Sequence, residues 1–237
     1  MPIQSTGMNL SYLIFMIPGL LLSLWAQAKV KGAYTKWSQV RNYNNLTGVD
    51  TAEQLKPRVG LENVKVTRIQ GTLTDHYDPR TDTLGLSQGV ADSPSVAAMA
   101  ITAHEMGHAK QDKEGYGPMR LRSAIVPMVS IGSNLGMILV MIGIVLQISG
   151  LAWLGVILFS GTAVFSLVTL PVELDASKRA KAMLSETGLA ANEEERKGVE
   201  QVLSAAAWTY VAGLATSLLQ LLYYISIAGR ASGGRRS

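Results

Sequence analysis

The sequence predicts a mainly α integral membrane protein: about four transmembrane helices plus a small cytoplasmic α+β domain with an HExxH helix and a β-hairpin. Three observations predict it. First, charge is unevenly placed along the 237 residues: 1–28, 123–172 and 201–229 contain no Asp, Glu, Lys or Arg, although the chain has 21 basic and 17 acidic residues. A soluble domain has to wet its surface and does not leave nearly half its length uncharged. Each block reaches the roughly 20 apolar residues that cross a bilayer, and the middle one is long enough to cross twice. Second, the polar stretch between the first two blocks mixes helix signals with β-branched runs around a turn. Third, one helix of that stretch reads His104-Glu105-Met106-Gly107-His108. The charge map disfavours a soluble enzyme, a disordered tail protein and a nucleic-acid binder, since the bases are mixed with acids and form no basic helix. With no cysteine, disulfides and thiolate metal sites are excluded.

In chain order, residues 1–28 form an N-terminal transmembrane anchor whose apolar span covers about 10–28, with Trp25 near one interface. Ala26-Gln27-Ala28 has the small-residue spacing of a signal-peptidase site. Yet the bases Lys29, Lys31 and Lys36 follow the apolar run instead of preceding it, which favours an uncleaved anchor.

Residues 29–124 form the cytoplasmic α+β part. Asp50 with Glu53 reads as a capping box opening a short helix that Pro57 disturbs. Val64–Ile69 is β-rich, and Gly71–Tyr77 with Thr83–Ser87 flank Asp78-Pro79-Arg80 as a hairpin. Ser93-Pro94 reads as N-cap and first residue of the HExxH helix. Residues 125–172 form a transmembrane hairpin, in which Gly132 and Gly136 suit close helix approach. Residues 173–203 read as a cytoplasmic helix leading into a fourth span at 204–228, and 229–237 as a disordered basic tail.

Orientation follows the bases. Residues 29–122 and 178–197 hold 18 of the 21, so an N-out start puts both polar segments in the cytoplasm. Arg230, Arg235 and Arg236 then fall outside, unless the last stretch does not cross fully.

On a helix, positions i and i+4 differ by about 40° in azimuth and about 6 Å in rise, so His104 and His108 can converge on one metal ion. Glu105 lies about 60° from His108, beside the ion, where it can hold and deprotonate water. The bland alternative, two surface histidines, has to explain why two of only three histidines fall at this spacing. Met106 reads as packing, and Gly107 as a place where another segment approaches closely.

A catalytic zinc takes a third protein ligand and keeps a fourth position open. No third histidine lies downstream, so a carboxylate is needed. Glu173 is the leading candidate, as the first charge after the long uncharged block and just beyond Pro171. Asp175 competes, but on a helix it points about 200° away from Glu173. His76 is a candidate for oxyanion or substrate contact on a strand where a peptide could add as a further strand, or is simply a hairpin histidine. Arg179 is a candidate transition-state contact or a plain interfacial arginine. An intramembrane site is disfavoured, because Lys110, Asp112 and Lys113 follow the motif directly and no LDG sequence occurs.

The stretches GTLTDHYDPRTDTLGLS, AITAHEMGHAKQDKEGYGPMRLRSAIVP, TLPVELDASKRA and AAAWTYVAGL closely resemble bacterial neutral zinc metallopeptidases of the YugP-like membrane family. More distantly the layout resembles the HtpX and CAAX-prenyl type membrane gluzincins. The resemblance implies a metalloprotease domain with Zn²⁺ held by His104, His108 and Glu173, and Glu105 as catalytic acid/base. It also implies a polypeptide substrate, a multi-pass place in the bacterial cell membrane with the lipid bilayer as partner, and no nucleic acid. In the gluzincins an Asp follows the ligand glutamate four residues on; here that position is Ser177, so the role of that Asp either does not carry over or passes to Asp175. The rival to a peptidase is a zinc-stabilised membrane scaffold or adaptor, which needs a fourth protein ligand from His76 or an Asp.

Overall fold

The structure, a computed structural model, describes residues 5–233. The last residues of the expected basic tail, 234–237, lie outside the described residues, as do 1–4. Among the described residues the chain is mostly helical. Its elements run α1 (Ser5–Ser38), α2 (Gly48–Val59), β1 (Lys65–Ile69), β2 (His76–Asp78), β3 (Thr83–Ser87), α3 (Gln88–Ala91), α4 (Val96–Lys113), α5 (Gly117–Val145), α6 (Ser149–Glu186) and α7 (Glu193–Gly233). Leu10–Ser38, Gly117–Val145, Ser149–Glu186 and Glu193–Ala231 are long and apolar enough to cross a membrane. The chain divides into two compact units, one of residues 1–25, 121–170 and 209–237, the other of 26–120 and 171–208.

In the first unit the helices approach through small residues. A Cβ on Gly136 would stand 2.6 Å from the Phe159 backbone nitrogen and 2.8 Å from the Gly155 carbonyl oxygen, so α5 and α6 touch backbone to backbone. Gly132, the other half of the small-residue pair, is looser, with its nearest neighbour at 3.7 Å. Phe159 and Tyr224 meet edge to face at 4.8 Å between centroids, and with Val140, Ala152, Val156 and Ile227 they form the buried cluster of this unit.

In the second unit a three-stranded sheet in the order β1-β3-β2 packs with α2, α3 and α4. β3 is central, parallel to β1 and antiparallel to β2, with Val66 opposite Leu84 and Tyr77 opposite Leu84 on its other side. Leu84 and Leu86 of β3 are fully buried and join a core with Leu55, Met99, Met106, Met183 and Leu184. The hairpin is present, but its first strand is only His76–Asp78. Gly71 at φ 109° and Leu73 at φ 55° turn the backbone away from extended geometry before it.

Three helix starts differ from the sequence expectation, each because a different side chain makes the cap. Thr47, not Asp50, caps α2: its hydroxyl accepts from the Asp50 N–H at 3.1 Å, and the Asp50 carboxylate accepts from the Thr47 N–H at 3.0 Å. Pro57 falls in the last turn of α2, where it does not end the helix; Gly60 does, at φ 73°. Ser95, not Ser93, caps α4, accepting from the Ala98 N–H at 3.2 Å. The expected continuous helix after Glu173 is broken between Glu186 and Glu193. Glu195, only 2% exposed, rebuilds the start of α7: it accepts from the Ala191 N–H at 2.7 Å and from the Tyr43 N–H at 2.5 Å. α7 continues to Gly233, past the expected start of the tail at residue 229.

Within this unit α1 and α7 lock together at Gly198. A Cβ there would stand 2.6 Å from the Trp37 ring and 2.7 Å from Val96 Cγ1. The Trp37 indole N–H donates to Gln201 Oε1 at 2.9 Å. Gly198→Ala should therefore lower the melting temperature of the purified protein in detergent: overpacking costs about 1–3 kcal/mol against a helix-propensity gain of about 1. Gly32→Ala, in a helical position with open space around it, should raise the melting temperature instead.

Candidate active site

α4 is almost entirely inside the second unit. Ala97, Ala98, Ala100, Ala103 and Ala109 leave it thin enough to pack closely on all sides, and Met106 is fully buried among its neighbours. Gly107 marks the closest approach: a Cβ there would lie 2.5 Å from the carbonyl oxygen of Ala176 on α6. Any larger residue would push α6 away, and Glu173 lies one turn before Ala176 on that helix.

This contact brings together residues far apart in the chain. His104 Nε2 lies 3.2 Å and His108 Nε2 3.4 Å from the same oxygen, Glu173 Oε2. Ligand atoms from the three residues all lie within 4.8 Å of one another. Atoms held about 2.0–2.1 Å from a tetrahedral ion stand about 3.4 Å apart, so these separations fit the edges of a zinc tetrahedron. The rings of His104 and His108 meet edge to face at 4.9 Å between centroids. The donor set, two imidazoles and one carboxylate, suits zinc, and among the described residues the group has three members where a tetrahedral zinc takes four ligands.

The outer nitrogens of both histidines are held by neighbours. Ser177 Oγ lies 3.2 Å from His104 Nδ1, and Gln111 Oε1 lies 3.0 Å from His108 Nδ1. In both rings Nε2 is the atom turned towards Glu173. Ser177, four residues after Glu173, thus contacts the first histidine of the motif. Asp175 turns elsewhere: its Oδ2 accepts from Gln111 Nε2 at 2.8 Å and from Arg179 Nε at 2.5 Å.

His104, Glu105, His108 and Glu173 expose 9%, 9%, 8% and 2% of their surfaces, so four ionisable groups crowd a largely dry site. Burial raises the Glu105 carboxyl above its ordinary range; His104 and His108 oppose that shift, while Glu173 and Asp75 add to it. For His108, burial pulls the pKa down, but the carboxylates of Glu173 and Glu105 outweigh it and hold the imidazole above its usual value. Asp75, just before β2, is raised chiefly by burial and accepts from the Ser87 N–H at 2.7 Å. Mutually perturbed, buried titratable groups are characteristic of catalytic sites.

The other two candidates stand apart from this group. Arg179 is committed to Asp175 and Glu114 and lies over the Tyr116 ring at 5.6 Å. His76 is exposed on β2, with Nδ1 2.9 Å from the Thr74 carbonyl oxygen. Sequence reasoning missed Gln111, a fully buried amide three residues after His108. A glutamine at that helical spacing was the available signal, but nothing in the sequence said which helix would face it.

Two comparisons place the chain among known proteins. A family model described as "Putative neutral zinc metallopeptidase" matches residues 12–229. The chain is 43% identical over 216 residues, 91% of its length and 96% of the relative's, to "Putative membrane protease YugP" of Bacillus subtilis (strain 168). No solved structure matches. The buried pair of histidines one helical turn apart, the glutamate brought to them from α6 and the four apolar helices thus occur in a chain that belongs to the neutral zinc metallopeptidase family of membrane proteases.

Proposed function

We propose that this protein is an integral-membrane zinc metalloendopeptidase, with Zn²⁺ held by His104, His108 and Glu173 and with Glu105 as the general base. The observation that carries this reading is the placement of Nε2 of both histidines 3.2 and 3.4 Å from one Glu173 oxygen. Bound there, zinc would polarise the scissile carbonyl and lower the pKa of water to about 7.

The chain's own residues supply the rest. Glu105 follows His104 directly on α4, so its carboxylate borders the group without belonging to it. Its raised pKa makes it a stronger base than an exposed glutamate, suited to taking a proton from water and passing it to the leaving amine. Peptide cleavage needs both transfers, since an amine leaves poorly as an anion. Ser177 and Gln111 keep the two imidazoles turned with Nε2 inward. Strand β2 lies at the sheet edge with His76 exposed, where an extended polypeptide could pair with it and pass that histidine. Three ligands with a fourth position left free favour catalysis over a closed structural site.

The proposed setting is the bacterial cell membrane, multi-pass, with the site on the cytoplasmic side and membrane or misfolded proteins as substrates. The balance of bases in 29–122 and 178–197 supports that orientation.

Glu105→Gln should keep one zinc per chain and lose at least about 100-fold of the cleavage rate on a casein-like substrate. Full activity in that variant would overturn the enzyme reading. His104→Ala with His108→Ala should abolish stoichiometric zinc by elemental analysis, and a chelator should silence the wild type until zinc is restored. Because the chain has no cysteine, Tyr43→Cys, at a residue 76% exposed, gives a single-site topology probe. It should react with a membrane-impermeant maleimide only after the cells are permeabilised; labelling of intact cells would reverse the proposed orientation.

A further inference from the structure

The buried amide of Gln111 holds the His108 ring, and its own orientation is set from α6. It is 0% exposed, on the same face of α4 as His108 and one turn further along. Burying an amide is costly unless its hydrogen-bonding groups are used. Here all three directions are filled: Oε1 faces His108 Nδ1 at 3.0 Å, while Nε2 donates to the Val172 carbonyl at 2.8 Å and to Asp175 Oδ2 at 2.8 Å.

These partners fix which way the amide points. Val172 presents a backbone carbonyl and Asp175 a carboxylate held by Arg179, so both are acceptors. A flipped amide would set its oxygen against two other oxygens, so the NH₂ group has to face α6 and Oε1 has to face the histidine. Oε1 cannot donate. His108 Nδ1 must therefore carry a hydrogen, so the neutral imidazole has its lone pair on Nε2, the nitrogen 3.4 Å from Glu173 Oε2 where an ion would bind.

We propose that Gln111 is a positioning residue that selects the Nε2-coordinating form of His108, with its orientation set by Val172 and Asp175 on either side of Glu173. The inference rests on the zinc reading above. The helix that delivers the third ligand thus also dictates the tautomer of the second: two acceptors on α6 orient the amide, and the amide orients the imidazole. Arg179 enters only indirectly, by holding the Asp175 carboxylate in place.

The test measures zinc affinity of the purified full-length protein in detergent by competition with a chromophoric chelator. Gln111→Met keeps the volume and removes the acceptor, and should weaken zinc binding by about 10–100-fold. Gln111→Glu keeps an acceptor at His108 Nδ1 but sets its second oxygen against the Val172 carbonyl and Asp175, so it should also weaken binding. Adding Asp175→Asn supplies a donor for that oxygen and should recover part of the loss. Binding unchanged in Gln111→Met, or the double variant binding no tighter than Gln111→Glu alone, overturns the proposal. Should Gln111→Met fail to fold, ¹⁵N-histidine spectra of the zinc-loaded wild type decide. With only three histidines in the chain, His108 should show a hydrogen-bonded Nδ1–H and a metal-shifted Nε2, and coordination through Nδ1 would overturn the proposal. A wild type that binds no zinc defeats the zinc reading itself, whereas a zinc-binding wild type with an indifferent residue 111 defeats this inference alone.

Discussion

The backbone contact between α4 and α6 at Gly107 and Ala176 is the constraint on which the site depends. His104 and His108 are fixed relative to each other by one helix, but Glu173 is some 65 residues further on and reaches them only if two helices come much closer than usual. Packed helices ordinarily keep their axes about 8–10 Å apart. With a Cβ of residue 107 only 2.5 Å from the Ala176 carbonyl oxygen, no side chain can separate the helices there. The same approach lets Gln111 span from His108 to Val172 and Asp175, and Ser177 reach His104. A single glycine thus permits both the His104–His108–Glu173 cluster and the hydrogen bonds around it.

That closeness has an electrostatic cost, which the arrangement offsets locally. Glu105 and Glu173 are both carboxylates at a site that exposes under a tenth of each side chain. Burial of a charge is unfavourable unless it is paired and hydrogen-bonded. The histidines provide the pairing, sharing Glu173 Oε2 and opposing the burial shift of Glu105. A divalent cation at the centre would add positive charge where two carboxylates meet, so this buried polar cluster fits a metal-binding role better than a purely structural one.

Much of this was legible from residue spacing. The HExxH motif places two imidazoles on one helix face whatever the surroundings, because helix geometry is local. Glu173 was marked by its position at the end of an uncharged block, and Gly107 by its cost in a helix interior. The caps were less legible. Thr47 displaced Asp50 and Ser95 displaced Ser93, since several Ser, Thr and Asp residues near a helix start can each cap, and packing selects among them. The break after Glu186 was missed because a charged, Ala-rich stretch has high helix propensity throughout. Only the burial of Glu195, with its bonds to Ala191 and Tyr43, shows where the chain restarts.

The sequence by itself determined the membrane character, the HExxH spacing and Glu173 as the leading candidate for a third ligand, because each was read from composition or from local position in the chain. Tertiary structure alone decided that Ser177 and not Asp175 holds His104, that Arg179 is committed to Asp175 and Glu114, and that Gln111 faces both His108 and α6. Those outcomes depend on the rotation of α6 against α4. A helix periodicity fixes which residues share a face, but the angle at which that face meets its neighbour is set by packing between segments distant in the chain.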